Sequence, residues 1–278
     1  MRVYYHNKYH LLLLCGLLCL AAGCANQTHN QLSLDEFSKA SGHILQFVKD
    51  NAPGWPQRTF TDAKESFLRA DNITILLSAG GASIALHSSG ADENTADYFE
   101  DHHNFHGFAD ESLNIIGHPW TLVGASALWY GFSKNDGDEL SAERAKAMIA
   151  ALSLSSAVTM GAKAVRDNDC PNGKNWAWPS GHTAATFTVA SMLDEYYGPK
   201  AGIPAYAIAS LISYRMLDTG DHWTSDIVFG AALGWVVGHT LADRQKQLEI
   251  AGFQVLPYTA YIQKTDSTAI GVNLVKKF

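Results

Sequence analysis

Apolar positions along the chain fall into six runs separated by polar loops, at residues 72–87, 119–132, 142–165, 183–197, 203–217 and 225–243. These runs are rich in small residues, lack the alternation of a strand and are long enough for helices. An earlier stretch, residues 34–47, has apolar residues at helical spacing and predicts one amphipathic helix. This helix should break at residues 53–56 (PGWP). The pattern predicts an all-α bundle.

The C-terminal segment has a different pattern. Residues 253–263 and 268–276 are rich in β-branched and aromatic residues, and polar residues 264–267 lie between them. This arrangement predicts a short C-terminal β-hairpin packed on the bundle. We therefore divide the chain into residues 1–23, a tether and N-terminal helical segment at 24–70, the main domain at 71–250, and the hairpin at 251–278.

Residues 11–22 form an apolar run that is too short to span a bilayer comfortably and is typical of a signal peptide. The run ends in small residues before Cys24, which resembles the lipobox of bacterial lipoproteins. We expect a signal peptide at residues 1–23 and a lipid on Cys24, which would place the protein in the periplasm, anchored to a membrane, with the outer membrane favoured. The alternative is ordinary signal cleavage. If Cys24 carries the lipid, Cys170 is the one free cysteine expected in the mature fold, so no internal disulfide is expected.

Charge and glycine positions bear on the question of a membrane-spanning fold. Lys163 and Arg215 lie inside apolar runs, and no run offers about 20 uninterrupted apolar residues, so we expect a soluble bundle. Gly230, Gly234 and Gly238 recur every four residues, which predicts close helix packing there, or helix association if the fold is in a membrane. The net charge of −7 and the lack of a basic stripe argue against nucleic acid as a partner.

Two short motifs carry the candidate chemistry. In the first, His222 precedes the last apolar run and Asp226 follows four residues later, where its carboxylate can bind one imidazole nitrogen and leave the other nucleophilic. Ser225 is the expected N-cap of that helix. A His–Asp pair that merely caps a helix is the alternative.

The second motif is Pro179-Ser180-Gly181-His182, at the start of another predicted helix. Backbone N–H groups at a helix start suit an anion, a serine hydroxyl adds a donor, and glycine permits close approach. His182, when protonated, could donate to a leaving-group oxygen. A turn with a capping serine is the alternative.

Together these motifs resemble the type 2 phosphatidic acid phosphatase (PAP2) superfamily, which includes lipid phosphatases, class A bacterial acid phosphatases and vanadium haloperoxidases. The resemblance covers about residues 100–245. It implies a PAP2-like helical bundle that hydrolyses a lipid or small-molecule phosphate ester without a metal or other cofactor. It also implies that His222 is a nucleophile forming a phosphohistidine, that Asp226 orients it and that His182 is the general acid. Phosphate binding is implied for Lys163, Ser180, Gly181 and Arg215.

The chain departs from the family pattern at two places. Cys170 precedes Pro171 where the family has arginine, and a thiol cannot supply a permanent bidentate charge to phosphate. Arg166 or Lys174 could replace that charge. The other departure is that six residues separate Arg215 from His222, one more than in the family.

Three other functions stay open. The first is a PAP2-fold lipoprotein with impaired catalysis that serves as a binding or scaffold protein, the second is a vanadium-dependent haloperoxidase, and the third is a polytopic membrane phosphatase. The histidine-rich segment at residues 100–106 (EDHHNFH) has ligand types that suit zinc, but its spacing fits no metal site, so we expect a solvated loop or a rim of the active-site mouth.

Overall fold

The computed structural model describes the backbone of residues 34–246, 249–250, 253–262 and 267–276, and the side chains of residues 35–243. The predicted signal peptide and Cys24 lie outside the described residues. From residue 34 to residue 246 the chain is helical apart from its connections, which confirms the all-α prediction for this part. Its helices are α1 (Leu34–Asn51), α2 (Trp55–Leu68), α3 (Ala70–Ser88), α4 (Ala91–Asp101), α5 (Gly107–Gly117), α6 (Pro119–Asn135), α7 (Glu139–Arg166), α8 (Gly181–Tyr197), α9 (Pro199–Asp218) and α10 (Thr224–Lys246).

Helix boundaries follow the local sequence. Each of the six apolar runs lies within one helix, namely α3 and α6 to α10. The predicted break after α1 is present as a short 3-10 turn at Ala52–Gly54. Pro119 and Pro199 begin α6 and α9, where the missing N–H of proline leaves no intrahelical bond unmade.

The core lies between α7, α8 and α10, around buried side chains such as Leu152, Met192 and Leu233. The glycine ridge of α10 packs directly on α8. A Cβ at Gly234 would lie 2.2 Å from the carbonyl oxygen of Ala184, so only glycine allows the two backbones to come this close. The prediction of close packing along this ridge is therefore confirmed.

Two helices are long and apolar enough to cross a membrane, α7 over its whole length and α10 over Thr224–Asp243. The pair α3 and α4, bent by 66° at its break, would make a third in the described part of the chain. Several large apolar side chains are also exposed, including Leu77, Ile84 and Ile203. Our expectation that no segment is long enough was wrong, because an 18-residue stretch of α7 or α10 is apolar enough on average even though polar residues interrupt it.

Three strands follow the helices in the described backbone, β1 (Glu249–Ile250), β2 (Phe253–Ile262) and β3 (Ser267–Lys276). They are antiparallel in the order β1-β2-β3, with Phe253 opposite Lys276 and Ile262 opposite Ser267. Side chains beyond residue 243 lie outside the described residues. The predicted β-hairpin that packs on the bundle therefore stays a prediction.

Candidate active site

The residues singled out from the sequence lie at helix ends that meet at one end of the bundle. Lys163 is in the last turn of α7, Ser180 precedes α8, Arg215 is in the last turn of α9, and Asp226 is in the first turn of α10. The backbone N–H of Ser180 donates to the carbonyl of Asp226 at 3.2 Å, which ties the two motifs together.

His222 and Asp226 form the contact that their spacing predicts. Nδ1 of His222 lies 3.3 Å from Oδ2 of Asp226, which also accepts the backbone N–H of Trp223 at 2.9 Å. Both side chains are buried, and Oδ1 of Asp226 has no partner within the described structure. Burial lowers the pKa of His222, while the hydrogen bond to the Asp226 carboxylate acts in the opposite direction. The contact leaves Nε2 as the nitrogen available for chemistry.

His182 stands in the first turn of α8 with its Nε2 buried and without a partner in the described structure. The ring of His118 lies edge-on to it, with centroids 5.3 Å apart. Burial, followed by the charges of His222 and His118, lowers the pKa of His182 to about 3. The ring is therefore neutral at pH 7, and an acid role requires a nearby negative charge that raises this pKa.

The start of α8 has the geometry of a capped helix. Ser180 is fully buried and its Oγ accepts the backbone N–H of Thr183 at 3.3 Å. A Cβ at Gly181 would meet Thr159 at 3.6 Å, an ordinary contact, so this glycine relieves no clash. The capping alternative is thus present in the structure, and the phosphate-binding roles of Ser180 and Gly181 stay predictions.

Lys163, at the end of α7, is bonded to the loop that leads to α8 and contains Cys170. Nζ of Lys163 donates to the carbonyls of Trp176 and Ala177, the latter at 3.0 Å. Burial lowers the pKa of Lys163 and raises the pKa of the neighbouring Cys170 thiol to about 11. Cys170 is therefore an uncharged thiol at the position where the family pattern has a cation.

Arg215 is buried and held by two carboxylates. Its Nε donates to Oδ1 of Asp110 and its Nη1 to Oδ2 of Asp221, each at 2.6 Å. Asp221 also accepts a bond from Nζ of Lys174 at 2.8 Å. Burial alone would raise the pKa of Asp221, but the bonds from Lys174, Thr219 and other donors outweigh it and lower that pKa to about 2. Lys174 thus reaches the edge of the site.

Arg166 packs against an aromatic side chain of the loop before α8. Its guanidinium lies over the ring of Trp178, 5.2 Å from the centroid. Trp178 also packs on Phe229, with centroids 4.5 Å apart. Of the two cations that could replace the arginine of the family pattern, Lys174 is the better placed.

The predicted capping role of Ser225 was wrong, because α10 already begins at Thr224. The serine instead belongs to a contact with α4. Oδ1 of Asp92 accepts the Ser225 backbone N–H at 2.9 Å, and Oδ2 accepts its hydroxyl at 2.6 Å. Asp92 is fully buried, and His87 lies 3.3 Å from the same Oδ2. A carboxylate from a distant helix therefore fixes the first turn of α10.

The histidine-rich loop before α5 binds the end of α9 and is not simply solvated. Nδ1 of His103 lies 2.7 Å from the carbonyl of Asp218, and the backbone N–H of Asn104 donates to the Asp218 carboxylate at 2.7 Å. The loop leads into α5, which supplies Asp110 to Arg215. Among the described residues, no group of His, Cys, Asp and Glu side chains could hold a metal ion.

Four residues near the site were not found by sequence reasoning: Asp92, Asp110, His118 and Asp221. Three of them precede the recognised motifs by many residues and reach the site only through folding. Asp221 is the exception, since it is adjacent to His222 and lies in the segment that is one residue longer than the family pattern. That extra length was the one available signal.

Residues 157–248 match the model of the PAP2 superfamily, so this stretch is a PAP2 superfamily domain, as its motifs indicated. Lipid A 1-phosphatase of Porphyromonas gingivalis is 35% identical over 65 residues, which is 22% of this chain and 15% of that protein. The crystal structure of Aquifex aeolicus LpxE is similar over 55% of this chain and 95% of that chain, with 20% sequence identity and a TM-score of 0.47.

Proposed function

We propose that this chain, through the PAP2 superfamily domain at residues 157–248, is a phosphatase that hydrolyses a phosphomonoester of a lipid by way of a phosphohistidine on His222. The arrangement of His222 carries the proposal, because a buried imidazole with Asp226 on Nδ1 leaves Nε2 as the nucleophile. The similarity to a lipid A 1-phosphatase supports a lipid phosphate as the substrate.

The reaction proceeds in two displacements at phosphorus. Nε2 of His222 attacks phosphorus, the P–O bond to the lipid breaks, and the leaving oxygen takes a proton from His182. Water then attacks the phosphohistidine and gives a proton to His182, which releases inorganic phosphate and restores His222. Lys163, Arg215 and the N–H groups at the start of α8 would stabilise the charge on the phosphoryl oxygens.

The low pKa of His182 fits this scheme only with phosphate bound. A phosphate dianion beside the ring favours the imidazolium, whereas burial opposes it. Substrate binding would therefore protonate His182, which is the acid that the first step requires. Without phosphate, the neutral ring avoids a charge beside His222 and Arg215.

A second candidate function, that of a binding or scaffold protein with impaired catalysis, has support in two observations. Arg215 is already neutralised by Asp110 and Asp221, and Cys170 adds no charge. Either function would be carried out in the cell envelope, with the protein in the periplasm and anchored through Cys24, as the sequence predicts. Turnover measurements separate the two functions.

The test measures phosphate release by the full-length protein from a lipid phosphate and from a soluble phosphomonoester. We expect His222→Ala to reduce kcat by about 10³-fold or more. The matched control is His239→Ala, because His239 also has a carboxylate partner, Glu195 at 2.7 Å, but lies near the other end of α10. Trapping of a phosphorylated histidine in acid-free conditions should succeed with the wild type and fail with His222→Ala. Equal release by the wild type and His222→Ala would refute the proposal, and phosphate binding without release would favour the second function.

A further inference from the structure

Both ends of the Arg215 guanidinium are bonded to carboxylates in this structure. Its Nε donates to Asp110 and its Nη1 donates to Asp221, and the arginine side chain is buried. Arginine binds phosphate most strongly through two parallel N–H groups on one edge of its planar fork. A phosphate therefore meets a carboxylate whichever edge of Arg215 it takes, and two anions on one guanidinium repel each other.

Asp221 lies close to the two histidines that the proposed reaction uses. It is adjacent to His222 in the sequence, in the turn between α9 and α10. Burial lowers the pKa of both His182 and His222, and the charge of Asp221 acts in the opposite direction on both rings. A carboxylate whose field reaches both imidazoles lies beside the space that a phosphoryl group must occupy to react with them.

Of the two carboxylates, Asp221 loses less when it releases Arg215. Its Oδ1 accepts Nδ2 of Asn172 at 2.9 Å and Nζ of Lys174 at 2.8 Å, and these bonds do not depend on Arg215. Within the described residues, the hydrogen bond that Asp110 accepts comes from Arg215. A carboxylate that loses its cationic partner in a partly buried site is strongly destabilised. We therefore expect Arg215 to keep Asp110 and to exchange Asp221 for phosphate.

We infer that Asp221 is a built-in competitor of phosphate, which occupies Arg215 in the empty site and returns to it after hydrolysis. The inference rests on the proposed function and adds to it a device that helps to release inorganic phosphate. Asp221 belongs to the segment that is one residue longer than the family pattern, so that pattern does not account for this carboxylate. Because its pKa is about 2, Asp221 stays ionised at the pH of an ordinary assay.

The test measures the dissociation constant of inorganic phosphate by equilibrium dialysis of the full-length protein, and its Ki as an inhibitor of phosphate release from a soluble ester. Asp221→Asn removes the charge but keeps an oxygen that Asn172 and Lys174 can bind. The matched control is Asp169→Asn, which removes an exposed carboxylate from the loop that carries Lys174. The same Asp221→Asn change in an Arg215→Ala background separates competition for Arg215 from simple repulsion of phosphate.

We expect Asp221→Asn to bind phosphate about tenfold or more tightly than the wild type, with an equal fall in Ki, because phosphate no longer displaces a charged hydrogen bond. Asp169→Asn should stay within about twofold of the wild type, since exposed charges are screened by salt. The gain from Asp221→Asn should disappear in the Arg215→Ala background. Damage to the fold would weaken binding, so it cannot produce the expected gain.

Unchanged or weaker phosphate binding by Asp221→Asn, or an equal gain in the Arg215→Ala background, would overturn the inference. If Asp221→Asn does not fold, Thr219→Val decides the question. The Thr219 hydroxyl donates to Oδ2 of Asp221 at 2.9 Å, and its loss should tighten phosphate binding by a smaller factor. No phosphate release from any ester by the wild type would refute the proposed function, whereas the dissociation constants would still decide whether Asp221 competes with phosphate.

Discussion

The contact between α4 and α10 makes Asp92 the residue whose removal best tests how the site is held together. Its carboxylate accepts both the backbone N–H and the hydroxyl of Ser225, at 2.9 and 2.6 Å. Ser225 is adjacent to Asp226, which contacts His222. We therefore expect Asp92→Ala to loosen the first turn of α10 and to displace the proposed catalytic pair, His222 and Asp226, without removing either of their side chains.

The expected loss of stability follows from the two hydrogen bonds that Asp92 accepts from Ser225. A hydrogen bond to a charged group contributes about 1.5–3 kcal/mol, and Asp92→Ala removes two of them. The unfolding free energy should then fall by about 3–5 kcal/mol, and Asp92→Asn, which keeps one acceptor oxygen, should lose less. A displacement near 1 Å in a reacting group can reduce the rate by about 10²-fold, so kcat should fall well beyond any change in KM.

The assay combines denaturant unfolding with steady-state phosphate release from a soluble ester. Asp97→Ala is the control, because Asp97 lies on the same helix but is exposed. Two results would refute the reasoning. One is equal unfolding midpoints for Asp92→Ala and Asp97→Ala. The other is an Asp92→Ala variant that is destabilised but keeps the kcat of the wild type, since the contact would then stabilise the fold without positioning the site.

Three further predictions concern packing and protonation. Gly234→Ala should lower the unfolding free energy by about 2–3 kcal/mol, since its Cβ would clash with Ala184, whereas Gly81→Ala, with nothing within 4 Å, should raise it by up to about 1 kcal/mol. Because burial raises the pKa of Cys170 to about 11, iodoacetamide at pH 8 should label it about 10²-fold more slowly than a free thiol, measured by peptide mass spectrometry, and labelling at the free-thiol rate would contradict this. Since the folded-state pKa of His182 is about 3, its ring signal in NMR should titrate near that pH in the phosphate-free protein, and the stability it contributes should be present above pH ~6.5 and be lost as the pH falls towards 3. Titration near pH ~6.5 would show that the ring is not desolvated.

The sequence was sufficient to predict the features that depend on residues a few positions apart in the chain. The apolar runs predicted α3 and α6 to α10, and a spacing of four residues predicted the contact between His222 and Asp226. Both depend on helical periodicity, which is a local property. The two candidate spans were missed because we required an uninterrupted apolar run, whereas the few polar residues within α7 and α10 leave their average hydropathy high enough for a span.

What the sequence could not predict are contacts between distant segments. Asp92 and Ser225 are 133 positions apart, and Asp110 and Arg215 are 105 apart. The preference of serine for helix N-caps indicated a cap at Ser225, but Asp92 supplies the acceptor from another helix instead. Nothing in the local pattern distinguishes a serine that caps its own helix from one that binds a buried carboxylate of another.

The charges around Arg215 constrain how phosphate can bind. A phosphate dianion that approaches this guanidinium meets Asp110 and Asp221, and like charges in a partly buried site repel strongly. Asp221 already holds Lys174 through its other oxygen, so it keeps a cationic partner if it releases Arg215. If phosphate binds Arg215 as proposed, Lys174 would assist that binding without touching the substrate, because it stabilises the carboxylate that Arg215 must leave. This exchange would give an exposed lysine a role at a site where Cys170 stands in place of the motif arginine.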